Sequence, residues 1–400
     1  MSDAILALED GTVYRGPAFG AAGQALGEVV FNTSMTGYQE VLTDPSYKAQ
    51  IVTMTYPEIG NYGINGLDME GAQTHLSGFV VRELSPVVSN WRSEMSLDAY
   101  LKRNKIPGIQ GVDTRALTKR LRRQGAMKGF LTTEALSDRA AVERAKKWPG
   151  LLGVDYVKEV TCAAAYDWDP DGVASRRWRI PGTSNAVGGA PEKESDAEDP
   201  LGDPYRRPLP PVKHRVVAYD FGIKLNILRV LRQKGFHVRV VPAATPAEEV
   251  LKLDPEGIFV SNGPGDPAAL DYAANAVRGL IGKKPIFGIC LGLQIVGHAL
   301  GAKTFKLKFG HRGGNQPVKD LTTGKIAITS QNHGFALDPK TLPKEVEMTE
   351  INLNDQTCEG IRHRELPVFC VQYHPEAAPG PHDSRALFDR FSDLILQNGR

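Results

Sequence analysis

The stretch GICLGLQ sets Cys290 between Gly288 and Gly292. Apolar Pro285, Ile286 and Phe287 run up to it, and a helix-like stretch follows from Leu291 to Leu300. A thiol at a strand-to-helix corner with such small neighbours fits the logic of a nucleophile elbow, in which a sharp turn holds the side chain out for attack. The helix start adds free N–H groups and a positive dipole end, which stabilise a thiolate and can receive a developing oxyanion. A free cysteine is often only a small buried residue, but glycines on both sides of the corner favour the elbow. A cysteine nucleophile needs a base and an orienting group. His374, in QYHPE, ends another apolar run and so belongs at the same edge of the fold. Glu376 follows two positions later, beyond Pro375, where a carboxylate can hold the imidazole by its second nitrogen.

Other residues carry weaker signals. Cys358, His363, Cys370 and His374 raise a metal reading, but their spacing matches no compact zinc signature and Cys370 sits inside an apolar run. We expect no metal there and assign Cys162 no role. SNGPGDP (261–267) follows a buried-type strand, and its glycines permit close backbone approach. It lacks the Gly-Lys-Ser/Thr ending of a phosphate-binding loop. SQNHGFAL (330–337) is polar and lies between strand-like runs, so we expect a substrate-reading loop.

The elements that must position these residues fall into two groups. Up to about Gly150 the pattern mixes strands with a few helices. AILALEDGTVYRG has Asp10-Gly11 between apolar runs, a hairpin signal. Helix patterns follow at SLDAYLKRN and DTRALTKRLRRQG. We read residues 1–153 as a mixed α+β domain. Residues 166–213 are rich in proline, glycine and alternating charge, and we expect a flexible linker there. From His214 to the end, residues 214–400, apolar strands alternate with helices. That rhythm predicts an α/β domain with a mostly parallel sheet covered on both faces. In such folds ligands bind beyond the carboxyl ends of the strands, where Cys290 and His374 fall.

The totals narrow the function classes. Four hundred residues predict two or three domains at about 150 residues each. A net charge of +2 gives no whole-chain attraction to nucleic acid. The basic runs LKRNK and TKRLRRQ lack interleaved aromatics and read as solvated helix faces or a docking surface. Four scattered cysteines make no disulfide framework. The N-terminus carries no basic leader, and no apolar run approaches the ~18 residues of a membrane span. We expect a cytoplasmic protein.

NGPGDP, FGICLGLQ and YHPE stand in the order of the three signatures of class I glutamine amidotransferases, which the second half resembles. FNTSMTGYQEVLTDPSY (31–47), GVDTRALTKRLR, YDFGIKLNILR, KFGHRGGNQPV and ITSQNHGFAL narrow the resemblance. The whole chain is similar to the small-subunit family of glutamine-hydrolysing carbamoyl phosphate synthetases. The resemblance implies a flavodoxin-like amidotransferase domain behind a family-specific first domain that docks the large subunit. It implies that Cys290 attacks the side-chain amide of glutamine, His374 moves the protons and Glu376 orients His374. It places an oxyanion hole at the amides of Leu291 and Gly263, and glutamine contacts at Gly265, Gln294, Asn332, Gly334, Phe335 and, from the first domain, Ser46. It implies no cofactor on this chain, with ATP and Mg on the large subunit, in a heterodimer serving arginine and pyrimidine biosynthesis. The alternative is the glutaminase subunit of another class I amidotransferase, as in anthranilate or guanylate synthesis, but MTGYQEVLTDPSY and the first domain do not fit those.

Overall fold

The computed structural model describes residues 3–177 and 209–398. Asp10 and Gly11 turn the chain between β1 (Asp3–Leu8) and β2 (Val13–Gly20), as the hairpin signal predicts. There Gly11 takes φ +94°, a left-handed value that glycine adopts without strain. Next come β3 (Gln24–Asn32), β4 (Gln50–Met54), the short β5 (Glu58–Ile59), β6 (Gly78–Val80), the short β7 (Glu83–Leu84), β8 (Pro107–Ile109) and β9 (Met127–Thr132). Seven of them close into a barrel in the order β1-β2-β8-β6-β4-β3-β9, with β9 pairing back onto β1. Closure leaves no free strand edge.

Helices α1 (Tyr38–Thr43), α2 (Leu97–Arg103), α3 (Thr114–Gln124) and α4 (Asp138–Lys147) surround this barrel. Ser96, Asp113 and Ser137 cap the last three by accepting from the third residue onward. Leu117 and Leu121 of α3, one turn apart, share a buried cluster with Leu6, Val29, Ile51 and Leu131 of the barrel. Arg115, Lys119, Arg122 and Arg123 lie on the exposed side, so the basic run is a solvated helix face.

The chain joins the second unit earlier than its composition suggests. Val157 is buried in the second core, and Tyr166–Asp167 forms an edge strand, β10, followed by α5 (Val173–Arg177). The expectation of a linker from Tyr166 is therefore corrected for residues 166–177. Tyr166 and Trp168 pack on the second core and supply apolar surface among the acidic and proline residues. Residues 178–208 of the expected linker lie outside the described residues.

The second unit is built on β11 (His214–Asp220), β12 (Phe236–Pro242), β13 (Gly257–Val260), β14 (Ile286–Ile289), β15 (Thr304–Asp320), β16 (Ile326–Leu337), β17 (Val346–Asn352), β18 (Cys358–His363) and β19 (Val368–Val371). With β10 they make one ten-stranded sheet, ordered β10-β12-β11-β13-β14-β19-β18-β17-β15-β16. Strands β12, β11, β13, β14 and β19 are parallel, in the order of a doubly wound flavodoxin-like sheet. Helices α6 (Leu225–Gln233), α7 (Ala247–Lys252), α8 (Asp271–Arg278), α9 (Leu291–Leu300) and α10 (Ala386–Asn398) accompany them. Phe259, Phe287, Phe369, Phe388 and Phe391 fill one of its cores with stacked and edge-on rings. The other half, β18-β17-β15-β16, is antiparallel. Among the described residues no helix is long and apolar enough to cross a membrane.

Candidate active site

Neighbouring parallel strands deliver the chemical groups to one edge. Gly263 follows β13, Cys290 follows β14 and His374 follows β19. Cys290 caps α9 with φ 55° and ψ −107°, a strained conformation for a residue with a side chain. Its N–H is held by the Val371 carbonyl at 2.8 Å. The flanking glycines are required by space. A Cβ at Gly292 would meet the Val260 carbonyl oxygen at 2.0 Å, and one at Gly288 would meet the Cys370 sulfur at 2.9 Å. Among the described residues, no hydrogen bond engages the N–H of Leu291 or of Gly263, so both donors remain available beside the thiol.

His374 is buried, and its Nδ1 lies 2.7 Å from Glu376 Oε1. The same carboxylate oxygen accepts from Lys224 Nζ at 3.0 Å, in a pair that is almost wholly enclosed. Burial alone would push His374 down, but the Glu376 charge and the Cys290 thiol outweigh it and hold His374 at about 10. Burial would raise Glu376, and the charges of Lys224 and His374 bring it down to about 2. Lys224 is held above its ordinary range, because Glu376, Glu70 and Asp44 outweigh its own burial. The charged form of the imidazole is thus favoured, and the ring is turned by Glu376 and clamped from behind by Lys224. Burial pushes the thiols of Cys358 and Cys162 up to about 12 and keeps them protonated.

The thiol opens into a cavity lined by Ser46, Gln50, Leu151, Gly263, Gly265, Gln294, Asn332, His333, Gly334 and Phe335. Every predicted site residue of the glutamine set except Leu291 lines it, and Leu291 opens the adjoining helix. SQNHGFAL is not a loop. It is the inner part of β16, whose polar side chains are satisfied across β15 and the domain boundary. The long β15–β16 hairpin folds back over the parallel edge: His374 N–H donates to the Ser330 carbonyl at 2.9 Å, and Gln294 Nε2 donates to the Phe335 carbonyl at 2.8 Å.

The first domain completes the wall. Asp44 Oδ1 accepts from the Ser46 N–H at 2.8 Å, and its Oδ2 accepts from Asn332 Nδ2 at 3.0 Å. Ser46 Oγ accepts from Asn262 Nδ2 at 2.9 Å. Glu70 accepts from the N–H groups of Leu225 and Asn226 at the start of α6. Asp44, Glu70 and Lys224 were not singled out from the sequence. Their types are ordinary at solvated turns and helix starts, and only the fold brings them together.

A family profile for the carbamoyl-phosphate synthase small chain domain matches residues 6–131, and one for class I glutamine amidotransferases matches residues 217–394. The chain is 53% identical to the carbamoyl phosphate synthase small chain of Syntrophotalea carbinolica over 99% of this chain and 98% of that one. It is 56% identical to that of Akkermansia muciniphila, with 99% and 98% covered, and 50% identical to that of Escherichia coli, again with 99% and 98% covered. Likeness along both domains, joined to a buried cysteine, histidine and glutamate at the sheet edge, means that this chain belongs to the carbamoyl phosphate synthase small chain family, as a glutamine-hydrolysing subunit.

Proposed function

We propose that Cys290, His374 and Glu376 are the catalytic groups and that the Cys290 cavity holds glutamine. The observation that carries this reading is the strained elbow of Cys290 with an imidazole at the same sheet edge that Glu376 and Lys224 clamp. The sulfur attacks the side-chain carbonyl carbon of glutamine, and the new oxyanion takes hydrogen bonds from the N–H groups of Leu291 and Gly263. His374 gives a proton to the amide nitrogen, the C–N bond breaks and ammonia leaves a thioester. His374 then takes a proton from water, whose oxygen attacks the thioester carbon; glutamate departs and the thiolate returns. Gln294 donates from Nε2 to Phe335 and to Gln372 Oε1 at 3.0 Å, which leaves its oxygen to accept from the substrate.

A second cavity is lined by Asn332, His374, Glu40, Asp44, Tyr47 and Lys224 among others, and shares Asn332 with the first. It supports an exit for ammonia that avoids water, toward a large carbamoyl phosphate synthetase subunit. That partner would use ATP, Mg and bicarbonate, in the cytoplasm, with no cofactor on this chain, no nucleic acid and no membrane. The test is glutamine hydrolysis with and without that subunit. Slow hydrolysis alone, quickened by the partner with ATP and bicarbonate, supports the reading. A fast hydrolase that never associates with it overturns the coupling.

A further inference from the structure

Behind the glutamine wall lies a row of buried polar groups that the reaction scheme does not use. His311 on β15 faces His333 directly across the β15–β16 ladder. Nδ1 of His311 is 3.2 Å from Nε2 of His333, with the rings edge to face. Each outer nitrogen meets a pure acceptor. His311 Nε2 is 2.8 Å from the Asp355 carboxylate, and His333 Nδ1 is 2.8 Å from the Phe335 carbonyl oxygen. Both outer nitrogens must therefore carry hydrogen. The inner contact is attractive only if one of its two nitrogens also carries one. The pair accordingly holds three N–H groups and a single positive charge. Glu359, fully buried, lies 3.7 Å from His311 Nδ1 and is fixed by Gln331 and Asn352, so the charge has a counter-ion.

We infer that His311 is a positioning residue for glutamine recognition: together with His333 it forms a singly charged dyad that fixes the Phe335 carbonyl and, through it, Gln294. The Phe335 oxygen receives both His333 Nδ1 and Gln294 Nε2 at 2.8 Å, and Phe335, Gln294 and His333 all line the Cys290 cavity. The groups facing the dyad are Asp355 and Glu359 from the β17–β18 side, Gln331 on β16, the buried Arg312 on β15 and His374 after β19. The two carboxylates favour the charge on His311, while Gln331 Oε1, 3.0 Å from His333 Nε2, accepts from whichever proton the inner pair shares. Burial and the neighbouring His311 push His333 well below its ordinary value. Burial opposes the charge on His311 too, but Asp355 and Glu359 raise it to about 9. Two histidines and a glutamate are also a metal-capable set. Here the outer nitrogens already serve Asp355 and Phe335, and Asn352 and Gln331 hold the glutamate oxygens.

This inference rests on glutamine occupying the Cys290 cavity. The experiment measures glutaminase kinetics of the full chain with its large subunit, for wild type, His311→Leu, His311→Asn and Asp355→Asn. The Leu variant removes both donors and should raise KM for glutamine about tenfold or more, with a much smaller change in kcat. His311→Asn keeps a donor near Nδ1 and should recover most of the loss; Asp355→Asn should give a smaller KM shift. Nitrogen-15 histidine spectra should show one imidazolium and one Nδ1–H tautomer that vanish or shift together in His311→Asn, which remains informative if the Leu variant fails to fold. An unchanged KM in all three variants, or equal losses in kcat and KM, overturns the dyad. Stoichiometric zinc retained by the purified protein overturns it as well. A wild type without glutaminase activity would instead overturn the reading of the cavity.

Discussion

The two halves of the ten-stranded sheet divide the work. The parallel half places Gly263, Cys290 and His374 just past the ends of adjacent strands, by topology alone. The antiparallel half reaches the same spot by length: β15 and β16 are 17 and 12 residues long and fold over the edge. The proposed chemistry thus sits at the strand-end edge where ligands of such parallel sheets bind. The proposed recognition wall sits on a hairpin whose position depends on side-chain hydrogen bonds, several of them to the first domain. Changes in the parallel half should strike kcat, and changes around the hairpin should strike KM.

The sharpest way to break this comparison is Cys290→Ser. A serine hydroxyl is poorly ionised at neutral pH, so glutaminase kcat should fall by about a thousandfold or more. Ammonia-driven synthesis with the large subunit should persist, and a clean preparation that still hydrolysed glutamine would remove Cys290 from its role. His374→Asn should come next, followed by Glu376→Gln, because holding an imidazole in place is a smaller task than moving its proton. Steady-state kinetics of the two variants decide the order.

Lys224→Met tests the clamp behind the histidine. We expect kcat to fall about tenfold, and stability by about 3–5 kcal/mol, as when one partner of a buried ion pair is removed. The pH dependence has a definite sign. Glu376 is depressed from 4.5 to about 2 in the folded chain, so its ionic contribution is complete above pH 4.5 and disappears as pH falls toward 2. The stability gap between Lys224→Met and wild type should be full at pH 7 and narrower at pH 3 in urea titrations. A constant gap would mean that packing, not charge, is lost. The mildest expected effect is Asp44→Ala, which frees Asn332 Nδ2 and the Ser46 N–H and should raise KM several-fold while kcat changes less. A kcat effect larger than the KM effect would blur the division between the halves.

The same division explains what could be read beforehand. The placement of Cys290, His374 and Glu376 at one sheet edge was legible because strand-end position follows from local apolar runs and glycines, all within a few residues of the group itself. The barrel hairpin at Asp10-Gly11 and the alternating second domain were legible for the same reason. SQNHGFAL looked like a loop because its polar residues suit solvent, whereas in the fold Gln331, Asn332 and His333 are buried with partners on β18, the first domain and β15. The Tyr166–Arg177 segment was misread because two aromatic anchors, Tyr166 and Trp168, were outweighed by the composition around them. Lys224 and Asp44 pair over 152 and 288 residues of sequence, and nothing local marks such partners.

Asp44 carries a consequence for anyone treating this chain as two interchangeable parts. Its oxygens stitch a first-domain turn to the recognition strand, while Glu70 tethers the start of the helix that follows Lys224. An amidotransferase domain excised at His214 would keep Cys290, His374 and Glu376 but leave Asn332, Asn262 and the first amides of α6 facing water. A grafted replacement for the first domain would therefore inherit the Cys290 elbow intact and a slack β16 wall beside it, unless equivalents of Asp44, Ser46 and Glu70 travelled with it.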